Sequence, residues 1–138
     1  MSDYADRFTA LIDANVLACA MRRNIILSLA EAGFFRPRWS DKIMDETAGA
    51  IAKITKGGAD TVKQRSAMER AFPEACVAGY AALEAGLELP DPDDTHVLAA
   101  AITTSAQVIV DLSRFSAAPS ARLSHLPFES DRAFPAQC

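Results

Sequence analysis

Four acidic residues stand where carboxylates can do more than face solvent. Asp13 stops the apolar run Phe8-Thr9-Ala10-Leu11-Ile12, and Asp111 stops the β-branched run Val108-Ile109-Val110. Both runs read as buried strands, and residues just past the carboxyl end of a strand line the crevice in which open parallel sheets bind ligands. Asp94 falls in the first turn of a helix opened by Pro90-Asp91-Pro92-Asp93, and Glu46 lies one turn into the helix after a second short strand. All four can therefore point into one crevice. Carboxylates gathered in this way raise one another's pKa and repel unless protons or cations neutralise them. A set with oxygen donors and neither His nor Cys selects Mg²⁺ or Mn²⁺ over zinc, and Mg²⁺ commonly takes substrate phosphates as further ligands. The chemistry indicated is phosphate chemistry.

Plainer roles compete for some of these residues. Asp13 can end its strand and bond its own turn. Asp91 and Asp93, with Pro92 at the first helical position, are accounted for as capping and first-turn acids. An EF-hand loop starting at Asp91 fails, because His96 and Ile102 stand where Gly and Glu are required. A lone His96 reads as a structural or solvent-facing residue. Gly-rich phosphate loops and a G-x-S-x-G elbow are absent from the sequence.

The elements that must position the acids are legible from periodicity. Ile25, Ile26, Leu29 and Ala30 mark a helix that Gly33 ends as its C′ residue. Phe34 to Trp39 is a short strand that Pro37 confines to an end or an edge. Ser40-Asp41 caps a helix whose face carries Ile43, Thr47, Ala50, Ile51 and Ile54, as far as Gly57-Gly58. Ala59 to Gly86 reads as helix in two pieces broken near Pro73, and Leu87-Glu88-Leu89 as a brief strand. Val97, Leu98, Ala101 and Ile102 form the stripe of another helix; a last strand is expected around Leu126 to Phe128 in a Ser/Ala/Pro-rich tail. Short apolar strands separated by helices predict an α/β fold, a three-layer sandwich around a mostly parallel sheet. No linker divides residues 1–138, so one domain is expected.

Composition narrows the classes. The chain has 138 residues, half of them hydrophobic, and a formal charge of −4, which suits a folded domain rather than a disordered segment. Charge is uneven: residues 1–70 balance at +2 and residues 71–138 at −6. An acidic protein is a poor non-specific nucleic-acid binder, yet Arg22, Arg23, Arg38 and Lys42 belong to a basic rim in the first half that can steer a phosphate backbone. No apolar stretch approaches the ~20 residues of a membrane span, and acids rather than an apolar run open the chain, so a cytoplasmic location is expected. Three cysteines without C-x-x-C, and two histidines, argue against a zinc site or a disulfide framework and predict buried or idle thiols.

Leu11-Ile12-Asp13-Ala14-Asn15-Val16-Leu17 is similar to the opening strand and turn of PIN-domain ribonucleases. Arg36 to Ser40, Ile43 to Glu46, and Leu89-Pro90-Asp91-Pro92-Asp93-Asp94-Thr95-His96-Val97-Leu98-Ala99-Ala100-Ala101 resemble the VapC-like toxins of toxin–antitoxin pairs. The likeness runs from about Phe8 to Phe134. It implies an α/β/α sandwich, often dimeric, that cleaves RNA with Mg²⁺ or Mn²⁺ and is restrained by an antitoxin protein. The family's acids fall on Asp13, Glu46 and Asp94, and Asn15 matches a position that supports the first of them. The fourth position departs from the pattern, because the segment from Val110 to Phe115 is two residues short. Asp111 takes the role through that deletion, or Ser113 does without a gap; Asp111 is favoured. The expected mechanism is two-metal-assisted phosphodiester hydrolysis with ions about 3.5–4 Å apart. Two rivals remain: a PIN-like domain that binds RNA or protein without cutting, and an aspartyl-phosphate phosphatase, which the missing second acid of D-x-D disfavours.

Overall fold

The computed structural model describes residues 8–112. Ser113, the strand expected around Leu126 to Phe128 and the expected end of the core near Phe134 lie outside the described residues. Four strands form the sheet: β1 (Thr9–Ile12), β2 (Arg36–Ser40), β3 (Cys76–Val77) and β4 (Val108–Val110). The helices are α1 (Ala14–Leu17), α2 (Ala20–Glu31), α3 (Asp41–Ile54), α4 (Thr61–Ala71), α5 (Ala81–Gly86) and α6 (Thr95–Thr103). A single 3₁₀ turn, Pro92–Asp94, leads into α6. The architecture is the expected α/β/α sandwich, and every strand pairing is parallel.

The strand order is β3-β2-β1-β4. The chain moves outward from β1 to β2 to β3, then returns to place β4 on the other side of β1. The order thus reverses between β1 and β4, and a crevice opens there at the carboxyl ends of the strands. Register fixes what lines it. Ala10, Leu11 and Ile12 pair with Val108, Ile109 and Val110, and the Asp13 N–H carries the ladder one step further to the Val110 carbonyl at 3.0 Å.

All four residues of β1 are buried, as expected of a central strand covered on both faces. Around it lie Leu17, Trp39, Ile43 and Met44, all with almost no exposure. The Trp39 ring meets Phe72 edge-on at 6.0 Å. Helix α3 buries Ile43, Met44, Thr47 and Ile51, and its start is held by the Ile43 N–H donating to Ser40 Oγ at 3.1 Å. Helix α2 ends as expected at Gly33, whose φ is 93°. There the Gly33 N–H donates to Ala30 O and the Phe34 N–H to Leu29 O, the paired bonds of a Schellman ending.

Several expectations are corrected. β2 is an interior strand, not an edge. Arg36 donates toward β1 and Trp39 toward the β3 side, so by alternation the nitrogen of Pro37 faces the β3 side. That side is unpaired at Pro37, because β3 joins only from Trp39 onward, and the missing N–H costs no ladder bond. The stretch from Ala59 to Gly86 is not helix alone: it contains β3, two residues long between α4 and α5. Leu87 to Leu89 forms no strand. Asp13-Ala14-Asn15 opens a helical turn, α1, rather than a simple bend. Cys19 is buried and disulfide-bonded rather than an idle thiol, whereas exposed Cys76 is free. Among the described residues no helix is long and apolar enough to cross a membrane.

Candidate active site

Asp13 is the residue immediately after β1 and Asp111 the residue immediately after β4, so the β1–β4 register sets them side by side. Asp13 occupies the N-cap position of α1, yet its carboxylate makes no capping hydrogen bond. Its pKa is pushed from 3.8 up to about 7. Burial is the largest cause, and the neighbouring Asp111 charge is next. Glu46 adds to the rise, while the N–H groups of Ala14 and Asn15 draw it back. Asp94 is raised as well, by burial first and then by Asp91, Asp111 and Asp93, with His96 opposing. Asp111 thus acts on both Asp13 and Asp94, and Glu46 on Asp13. Asp111 is the charge common to Asp13 and Asp94, at the carboxyl end of β4 beside the topological switch point.

Two of the four are held by partners from other elements. The Asn15 amide nitrogen donates to Asp111 Oδ1, and the Asn15 amide oxygen accepts from the Leu112 N–H at 3.3 Å. Asn15 was expected to support the first acid; its side chain instead grips the last, and only its backbone N–H acts on Asp13. Glu46 projects from α3 with its side chain 41% exposed, and its Oε2 lies 2.9 Å from His96 Nε2. His96 itself is 1% exposed. Sequence reasoning missed this pair. The one available signal is that His96 belongs to the buried run Thr95-His96-Val97 at the start of α6, and a buried imidazole must find a partner.

The capping assignment of Asp91 stands. Its side chain accepts from the Asp93 N–H at 3.0 Å, with Pro92 in the first turn. That leaves Asp94 as the member of the run facing the cluster. The expected phosphate-steering residues have varied surroundings. Arg23 donates through Nη1 to Leu17 O at 2.8 Å. Lys42 pairs with Glu84 at 3.1 Å. Arg38 has a buried Nε with no hydrogen-bond partner, and Arg22 is half-buried. Ser113 lies outside the described residues.

The donor set consists of carboxylate oxygens, with one carboxyl, that of Asp13, displaced to about 7 by burial first and then by its neighbours. In kind and in charge this suits a hard divalent cation. As placed, no group of three or more His, Cys, Asp or Glu among the described residues is drawn together tightly enough to enclose an ion. Unneutralised carboxylates repel, and here Asn15 and His96 each hold one of them by a hydrogen bond.

The model of the family described as PIN domain matches residues 9–111. No curated protein and no solved structure matches the chain.

Proposed function

Because the chain belongs to the PIN-domain family and so carries a nuclease-type fold, we propose that it is a divalent-metal-dependent ribonuclease that hydrolyses RNA phosphodiester bonds. The observation that carries this reading is Asp13, set beside Asp111 by the β1–β4 register and raised to about 7 by burial and by the charges of Asp111 and Glu46. Unscreened, such a cluster would repel a polyanion. These four residues would hold Mg²⁺ or Mn²⁺. When bound, the ion supplies Lewis acidity for attack of water at phosphorus. Asn15 and His96 keep Asp111 and Glu46 turned toward fixed partners, and the charges of Arg22, Arg23, Arg38 and Lys42 would guide the RNA backbone.

The reading extends to a cytoplasmic toxin of a toxin–antitoxin pair, with an antitoxin protein as its restraint. It includes a homodimer, which is supported by the exposed apolar stripe Met21, Ile25 and Leu29 on α2, spaced four residues apart along one helix face. A single PIN-like domain over residues 1–138 is part of the same proposal. A second reading, a PIN-like domain that binds RNA without cutting it, is favoured by the spread of the carboxylates.

Purified wild type and Asp94→Asn are incubated with mixed RNAs and Mn²⁺, with and without EDTA. Cleavage by wild type alone, abolished by EDTA, is expected. Equal cleavage by both proteins overturns the nuclease reading, and an RNA shift without any cleavage selects the binding-only domain.

A further inference from the structure

We propose that His96 is a positioning residue for Glu46: it fixes the carboxylate from the helix that follows Asp94, so that the Glu46–Asp94 spacing is set by one imidazole. The inference rests on the nuclease reading above and adds a residue that reading does not require.

His96 Nε2 lies 2.9 Å from Glu46 Oε2, whereas His96 Nδ1 is buried and without a hydrogen-bond partner. A carboxylate only accepts, so the imidazole donates from Nε2. Nε2 is thus the nitrogen that meets Glu46, while Nδ1 meets no hydrogen-bond partner. The histidine therefore presents one donor in one direction.

Packing alone gives no reason for a histidine here. His96 is 1% exposed and is followed on α6 by buried Val97, Ala99, Ala100 and Ala101. A leucine or methionine would fill such a place without leaving an unsatisfied nitrogen. What His96 supplies that an apolar residue cannot is the bond to Glu46. That bond reaches across 50 residues of sequence, from α6 to α3. Glu46 needs the restraint, because its side chain is 41% exposed and an exposed glutamate otherwise samples several rotamers. The bond from the imidazole is to Oε2. Since Asp94 sits two residues before His96, at the N-cap position of α6, the same short segment carries one acid and orients another. Hydrogen-bonded partners of ligating carboxylates commonly govern affinity in this way.

The test compares His96→Gln, His96→Asn and His96→Leu with wild type. Gln places an amide nitrogen where Nε2 stood, whereas Asn places one where Nδ1 stood and cannot reach Glu46. Thermal denaturation in EDTA first establishes that each variant is folded, and Mn²⁺ affinity is then measured by calorimetry beside RNA cleavage. Wild type and His96→Gln should bind Mn²⁺ within about 3-fold of each other, and His96→Asn and His96→Leu about 10–100-fold more weakly, with kcat falling more than KM. Folded Asn and Leu variants that bind as wild type does, or a folded Gln variant as weak as Leu, overturn the inference alone. Wild type that neither binds Mn²⁺ nor cuts RNA overturns the nuclease reading and this inference with it.

Discussion

Asn15 and Asp111, 96 residues apart in sequence, form a two-point clamp. The Asn15 amide donates to the Asp111 carboxylate while its oxygen accepts from the Leu112 N–H. The first turn after β1 thereby fixes the first residues after β4. A side chain next to the first acid governs the orientation of the last.

Asn15→Ala removes both halves of the clamp. Metal-dependent cleavage should fall roughly 10–100-fold, and stability should fall by about 1–2 kcal/mol as the Leu112 N–H loses its acceptor. Initial cleavage rates and a denaturant titration check the two effects separately. An unchanged rate would show that Asp111 is held without Asn15.

Asp13 makes metal-free stability depend on pH. In the unfolded chain its carboxyl ionises near 3.8, and in the folded protein near 7. Between those values the folded protein binds more protons than the unfolded chain, so stability falls as pH rises from about 4 to about 7 and then levels off. Asp13→Asn removes this loss. In EDTA the variant should be more stable than wild type by about 1–3 kcal/mol at pH 8 and no more stable at pH 4, while cleavage is lost. Denaturation midpoints across pH 4–8 measure the difference. A constant offset at all pH values would refute the assignment.

Cys76 is exposed and free, yet its thiol is pushed up to about 11. Local burial is the main cause, followed by its hydrogen bond to Asp41 and the charges of Asp41 and Glu69, with Arg65 opposing. Alkylation at pH 8 should be slow, because the reactive thiolate is scarce. Asp41→Asn should speed it several-fold, as followed by mass spectrometry. Rapid labelling of wild type would contradict the shift.

The fold, and the position of Asp13 and Asp111 just past strand ends, were readable because each depends on a local signal. Apolar runs ending in Asp13 and Asp111 mark strand ends, Ser40 and Gly33 mark helix ends, and the run around Pro92 marks a capped start. What could not be read depends on contacts that no local pattern encodes. β3 is two residues, Cys76 and Val77, too short to show alternation. Pro37 in an interior strand is tolerated only because β3 begins to pair at Trp39, a matter of strand length rather than of residue type. The bonds from His96 to Glu46 and from Asn15 to Asp111 span 50 and 96 residues; one sequence offers no means of pairing such distant side chains.

The pairing of Ile12 with Val110 also sets a time of assembly. Asp13 meets Asp111 across the crevice only once β4 has docked beside β1. That closure of the longest loop is among the slower events open to a small domain. Until β4 docks, Asp13 and Asp94 both lack the Asp111 charge that acts on them in the folded protein, so the full set of carboxylate interactions forms only with the last strand pairing.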